Sequence, residues 1–149
     1  MGSKVKMKKA LVTGGCGFIG SHLSKNLVDN GWSVTVVDDL SSGDIQNLKN
    51  LNLRTRATIP DLITHFSSSL ILKNDEILVV TGDFSGSWML DHLTTTRYDC
   101  VFHLAADPRV EHSVKFPAQS SLNNTQKTIE LMTLCKSAGI EKFIFASSS

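Results

Sequence analysis

The stretch Thr13-Gly14-Gly15-Cys16-Gly17-Phe18-Ile19-Gly20 limits the folds open to this chain more than any other. An apolar run, "KKALV", leads into it. After it, Ile19, Leu23 and Leu27 recur at helical spacing until Asn30-Gly31, a pair suited to a helix C-cap. The β-branched run "SVTVVDD" follows, without the alternation of a sheet wetted on one face. Strand, glycine turn, helix and strand within about 30 residues make a βαβ unit.

Glycine at such a turn permits positive φ, lets bare backbone approach a ligand and lets the helix pack closely on the strand. Gly15-x-Gly17-x-x-Gly20 fits the dinucleotide-binding fingerprint, and Gly14-x-x-Gly17-x-x-Gly20 fits its longer relative. The helix N-terminus offers unpaired N–H groups and partial positive charge to a pyrophosphate. Asp38 ends the second strand, where a carboxylate accepts hydrogen bonds from ribose hydroxyls and repels a 2′-phosphate. The expected cofactor is therefore NAD rather than NADP.

The alternation continues down the chain. "EILVVTGD" reads as a strand, "SGSWMLDHLTTT" as a short helix and "YDCVFHLAAD" as another strand. Pro117 opens a long helix through Leu122, Ile129, Met132 and Cys135 to Gly139, and "KFIFA" is a last, buried strand. The fold class expected is α/β, a Rossmann-type doubly wound parallel sheet of about five strands with helices on both faces. Residues 1–8 read as a Lys-rich solvated leader, 9–149 as the dinucleotide-binding domain and 44–76 as a folded insertion. Within the insertion, "DIQNLKNLN" and "PDLITHF" suit short helices, the second with Pro60 at its first position.

Composition excludes several partners. A chain of 149 residues suits one domain, and a formal charge of +1 provides no field for nucleic acid or an anionic membrane. No run approaches the ~20 apolar residues of a membrane span. Cys16, Cys100 and Cys135 lie far apart without a CxxC pair, and the histidines lack HxxxH or HExxH spacing. These features predict a reducing, cytoplasmic setting and no metal.

The blocks "VTGGCGFIGSHL", "VVDDLSSG", "TGDF", "VFHLAAD", "VEHSVKFP", "SLNNT" and "FIFASSS" together carry a resemblance. In their order the chain resembles the N-terminal part of the NAD-dependent epimerase/dehydratase family of extended short-chain dehydrogenase/reductases, nearest to its 4-epimerases of UDP-glucose. The resemblance implies that Gly14, Gly17 and Gly20 form the phosphate turn, with Phe18 and Ile19 covering the pyrophosphate through their backbone. Asp38 would hold the adenosine ribose, and Asp39, Leu40, Ser41, Ser42 and Gly43 would line the adenine side. Asp83 and Phe84 would meet the adenine ring. Leu104, Ala105 and Ala106 would run beneath the nicotinamide-side ribose and phosphates, and Asn123, or its neighbour Asn124, would contact the cofactor from the long helix. On local grounds alone, Asp83 also suits a helix cap, His103 a satisfied strand-end histidine and Asn123-Asn124 exposed helix polars.

In that family NAD takes a hydride from a sugar carbon while a tyrosine removes the hydroxyl proton, its pKa lowered by a lysine four positions later. A serine after the last strand binds the same sugar oxygen; Ser148 matches it, with Ser147 and Ser149 as alternatives. The sequence contains no Tyr-x-x-x-Lys: its one tyrosine, Tyr98, stands four before Phe102 and is expected at a strand edge. The resemblance thus implies the NAD-binding portion of a nucleotide-sugar enzyme, a UDP-sugar as substrate and a homodimer at full length, with the tyrosine, the lysine and the substrate region lying beyond these residues. A 4,6-dehydratase of dTDP-glucose, a UDP-glucuronate decarboxylase or a non-catalytic NAD-binding sensor are the other readings. The dehydratases usually place Thr-Asp-Glu after the strand, so "ASSS" favours the epimerase.

Overall fold

The computed structural model describes residues 7–58 and 76–147, with 52–58 described by backbone alone. Its elements run β1 Lys9–Thr13, α1 Phe18–Asp29, β2 Ser33–Asp38, a 3-10 turn Ile45–Leu48, β3 Asn52–Thr58 and β4 Glu76–Thr81. There follow α2 Ser87–Thr96, β5 Cys100–His103, α3 Val110–Lys115, α4 Pro117–Ser121, a π turn Leu122–Gln126, α5 Lys127–Ser137 and β6 Phe143–Phe145. The expected parallel sheet is present, in the order β3-β4-β2-β1-β5-β6.

Its sixth strand is β3, which falls inside the segment expected to be an insertion. Only the short Ile45–Leu48 turn answers to the helix expected over "DIQNLKNLN". "NLRTRAT" does alternate, with Arg54 and Arg56 between Leu53, Thr55 and Ala57, and a charged alternation suits a sheet edge. The helix expected over "PDLITHF" lies outside the described residues.

Alternate residues of each strand feed opposite faces, so the sheet carries two cores. On one face Leu11, Val37, Leu78 and Val101 meet Met89 and Leu93 of α2 and Leu131 and Cys135 of α5. On the other, Ala10, Val12, Val34 and Val36 meet Leu27 of α1 and Leu48. All of β2 is buried, which explains why its sequence is continuously apolar rather than alternating.

Several expectations change in the packed chain. The face α5 buries is Thr128, Leu131 and Cys135; Ile129 and Met132, among the apolar residues by which the long helix reads in the sequence, are half exposed. Tyr98 is not at a strand edge. The chain reverses at Arg97, which has a left-handed φ of 54°, and this tucks the ring into the core beneath α2. There the Tyr98 hydroxyl lies 2.6 Å from His92 Nε2. Lys8, expected in the leader, already belongs to the sheet, since its carbonyl accepts from the Ser33 N–H at 2.9 Å.

The strand "KFIFA" is not the buried strand its aromatic content suggests. β6 pairs with β5, and Ile144 and Phe145 are 51% and 49% exposed. An apolar edge of this kind templates association. The 149-residue polypeptide is therefore expected to self-associate in a concentration-dependent way. Light scattering that shows a monomer at all concentrations would contradict this.

Candidate nucleotide-binding site

β1 and β5 are neighbours, and the connection after β1 leads to β2 on one side while that after β5 leads to β6 on the other. That topology opens a crevice at the carboxyl ends of the strands, and ligands of open α/β sheets bind there. Gly14 stands at its floor. Its φ is +69°, and a Cβ on it would lie 2.7 Å from Ala105 N and 2.8 Å from Ala105 Cα. Its N–H donates to Val37 O at 2.8 Å, which ties the turn to β2.

Gly20 meets the turn from the other side, with Gly14 O only 2.2 Å from where its Cβ would be. Helix α1 is thereby pressed onto the turn at its own first residues. Its N-cap is Gly17, with no side-chain cap and no acidic residue in the first turn. The first-turn N–H groups and the positive end of the helix dipole are therefore left for an anion. Phe18 and Ile19 are strongly exposed beside them. Bare backbone that no side chain could replace, facing an uncapped helix end, fits a dinucleotide pyrophosphate.

Asp38, 7% exposed, closes the crevice on the β2 side. Its Oδ2 accepts from the Cys16 N–H at 2.8 Å and its Oδ1 from the Leu40 N–H at 2.9 Å. Each oxygen keeps a second acceptor position, so the carboxylate braces the glycine turn and still offers sites to hydroxyls. Gly43 lies against it, since a Cβ there would be 3.1 Å from Asp38 Oδ1. Asp39, Ser41 and Ser42 are exposed along the same loop. The loop is fastened to the turn by Asp44 N–H and Asn47 Nδ2, both donating to Cys16 O. The sequence pattern does not mark Asn47, whose role depends on a contact 31 residues away.

Asp83 follows β4, and its Oδ1 accepts from the Ser85 N–H at 2.8 Å. Its Oδ2 accepts from the Lys127 ammonium at 2.5 Å. Burial pushes the Asp83 carboxyl up, but Lys127 and the Ser85 N–H outweigh it and hold the group below its ordinary value. The cap of α2 is Gly86, so Asp83 forms a turn ahead of the helix rather than capping it. The Phe84 ring is buried edge-on to His103 at 4.9 Å, which leaves its backbone rather than its ring to the crevice.

Leu104, Ala105 and Ala106 leave β5 along the crevice floor, with the Leu104 N–H donating to Thr13 O at 3.1 Å. The structure separates the two asparagines. Asn124 is committed to the Asp107 backbone, accepting from its N–H at 2.7 Å and donating to its carbonyl at 3.0 Å. Asn123, half-exposed on the same π turn, accepts from Gln119 Nε2 at 3.3 Å. Asp107 in turn holds Arg109 at 2.9 Å, and its other carboxylate oxygen lies 2.8 Å from His112 Nδ1. The Arg109 guanidinium keeps the Asp107 carboxyl below its ordinary value. Ser148 lies outside the described residues.

Residues 10–149 match the profile of the NAD dependent epimerase/dehydratase family. The chain belongs to that family. It is 32% identical over 142 residues to a UDP-glucose 4-epimerase of Azospirillum brasilense, covering 95% of this chain and 34% of the relative. It superposes on the UDP-glucose 4-epimerase of Thermotoga maritima, solved with UDP-glucose, with a TM-score of 0.71 at 33% identity. That match covers 94% of this chain and 38% of the other. The UDP-glucose 4-epimerase of Thermus thermophilus, solved with NAD, gives a TM-score of 0.70 at 28% identity over 94% and 37% of the two chains. The chain thus spans about a third of the length of the first of these relatives. NAD is the cofactor of the family, and the turn, the uncapped helix and Asp38 are the features of this chain that fit it. No helix among the described residues is long and apolar enough to cross a membrane.

Proposed function

We propose that this chain is the NAD-binding portion of a nucleotide-sugar epimerase of the UDP-glucose 4-epimerase type. The observation that carries the reading is the side-chain-free contact of Gly14 with Ala105 at the switch point of the sheet, with Asp38 at the end of the neighbouring strand. In this reading the backbone of Phe18 and Ile19, with Gly17 and Gly20, holds the pyrophosphate. Asp38 accepts from the adenosine ribose, while Asp39 to Gly43, Asp83 and the Phe84 backbone line the adenine end. Leu104, Ala105, Ala106 and Asn123 line the nicotinamide end, and Ser148 meets the sugar hydroxyl. Bound NAD supplies a hydride acceptor for a sugar carbon; these residues orient it and keep the dinucleotide extended along the strand ends.

Asp38 gives the sharpest test. By calorimetry the chain is expected to bind NAD roughly tenfold to a hundredfold more tightly than NADP, the difference between a charge-assisted hydrogen bond and a repelled phosphate. Equal affinity for the two would remove the main support. The sequence holds no Tyr-x-x-x-Lys, and Tyr98 is buried against His92, so the reading assigns this polypeptide cofactor binding without turnover. Epimerisation of UDP-glucose by these 149 residues with NAD supplied would overturn that assignment. Pairing of two copies through the long helix at full length belongs to the same reading, and the exposure of Ile129 and Met132 on α5 supports it.

A further inference from the structure

His103 ends β5 fully buried, its ring stacked on Phe145 with centroids 5.6 Å apart. Its Nδ1 lies 2.6 Å from Thr13 Oγ1 and its Nε2 2.8 Å from Thr128 Oγ1. Thr128 Oγ1 also donates to the Asn124 carbonyl at 2.9 Å. A carbonyl only accepts, so the single hydroxyl proton of Thr128 is committed there and its oxygen must accept from His103. Nε2 therefore carries the ring proton. In the neutral ring Nδ1 is then the acceptor, and Thr13 Oγ1 donates to it. The remaining lone pairs of Thr13 Oγ1 face the Ala105 N–H, a longer contact of 3.4 Å.

Burial supports the neutral ring, pushing the His103 pKa down to about 4. Beyond Thr128 the chain of contacts continues through the Asn124 side chain, which grips both backbone groups of Asp107. The widened turn at Leu122–Gln126 is where the carbonyl and the amide of Asn124 are both engaged, and such turns recur at functional sites. The loop after β5 is thus fastened at Ala105 and again at Asp107. Ala105 is also the residue on which Gly14 packs.

We infer that Thr13, His103, Thr128 and Asn124 form a directional hydrogen-bond relay that positions the Leu104–Asp107 loop against the glycine turn and so sets the nicotinamide-side wall of the cofactor crevice. The inference rests on the NAD-binding reading above. These are positioning residues, acting on the cofactor through the loop.

Thr13→Val and Thr128→Val each remove a hydroxyl with little change of shape. Each is expected to raise the Kd for NAD about tenfold, the loss of one hydrogen bond's worth of positioning. Thr13→Ser and Thr128→Ser keep the hydroxyl and are expected to bind as the parent chain does. Leu93→Val, on the buried face of α2, lowers stability without touching the relay, and its Kd is expected to stay unchanged in the folded protein. Independently, the imidazole nitrogen NMR spectrum of the parent chain at neutral pH is expected to show His103 as the Nε2–H tautomer. An Nδ1–H tautomer, or valine variants that bind NAD as tightly as a parent chain that does bind it, overturns the relay. A parent chain that binds no NAD overturns the functional reading instead. The relay is then decided by the tautomer and by the amide shifts of Ala105 and Asp107 in Thr128→Val: moved shifts support it, unmoved shifts overturn it.

Discussion

Gly20→Ala is expected to destabilise the chain by roughly 1–3 kcal/mol, lowering the Tm by about 5–10 °C, and to abolish tight NAD binding. The added Cβ would lie 2.2 Å from Gly14 O and 2.7 Å from Gly15 Cα, and both obstacles are backbone. Neither can rotate away, so α1 must lift off the turn. That movement carries the uncapped helix end away from the pyrophosphate position and strains the Gly14 N–H bond to Val37 O. The matched control is Gly31→Ala. Unlike the helical Gly20, Gly31 has a left-handed φ of +78°, and nothing lies within 4 Å of its Cβ position. It is expected to lose only the ~1–2 kcal/mol of an alanine held at positive φ, with NAD affinity untouched. Thermal melts and calorimetry of the two variants check this. A Gly20→Ala chain that melts and binds as the parent does would contradict the contact described.

Acid is expected to unfold this chain well above the pH at which ordinary carboxylates titrate. Burial pushes His92 and His103 down from 6.5 to about 4. Between those values the unfolded chain binds two protons that the folded chain does not, so stability rises with pH and is lost as pH falls through the window. Each imidazole contributes about 1.4 kcal/mol per pH unit, hence about 3 for the pair, against the ~5–15 kcal/mol that holds a typical domain. The Asp83 and Asp107 carboxyls lie below their ordinary 3.8 and act in a lower window, so the two effects separate. Urea denaturation at a series of pH values is expected to give near-constant stability between about pH 7 and 8 and a steep fall below 6.5. His103→Phe, which keeps an aromatic ring between Phe84 and Phe145, should halve the slope. A flat profile from about pH 6.5 to 5 would show that these rings are not held neutral in the fold.

How much of this is legible in the sequence follows from the range of the interactions involved. α1, β2, β4, α2 and β5 announce themselves because a helical or continuous apolar pattern is local and survives in one dimension. β3 escapes because its alternation is short and charged, and only pairing with β4 makes it a strand. β6 has the aromatic content of a buried strand, but exposure depends on what lies beside a strand and not on what composes it. The choice between Asn123 and Asn124 is likewise out of reach, since nothing within a few residues distinguishes two adjacent asparagines. The partner that distinguishes them, Asp107, is 17 residues away.

The sequence by itself determined the βαβ unit, the glycine turn and the acidic residue at the end of β2, because each needs particular residue types within one turn or strand. The tertiary structure decided what those residues do to one another. It showed Asp38 bracing the turn it serves, across 22 residues, and placed His103 between two threonines, one of them 90 residues distant. Hydrogen bonds of that separation leave no periodic trace in the chain, because they are set by strand order, and strand order exists only once the sheet has formed.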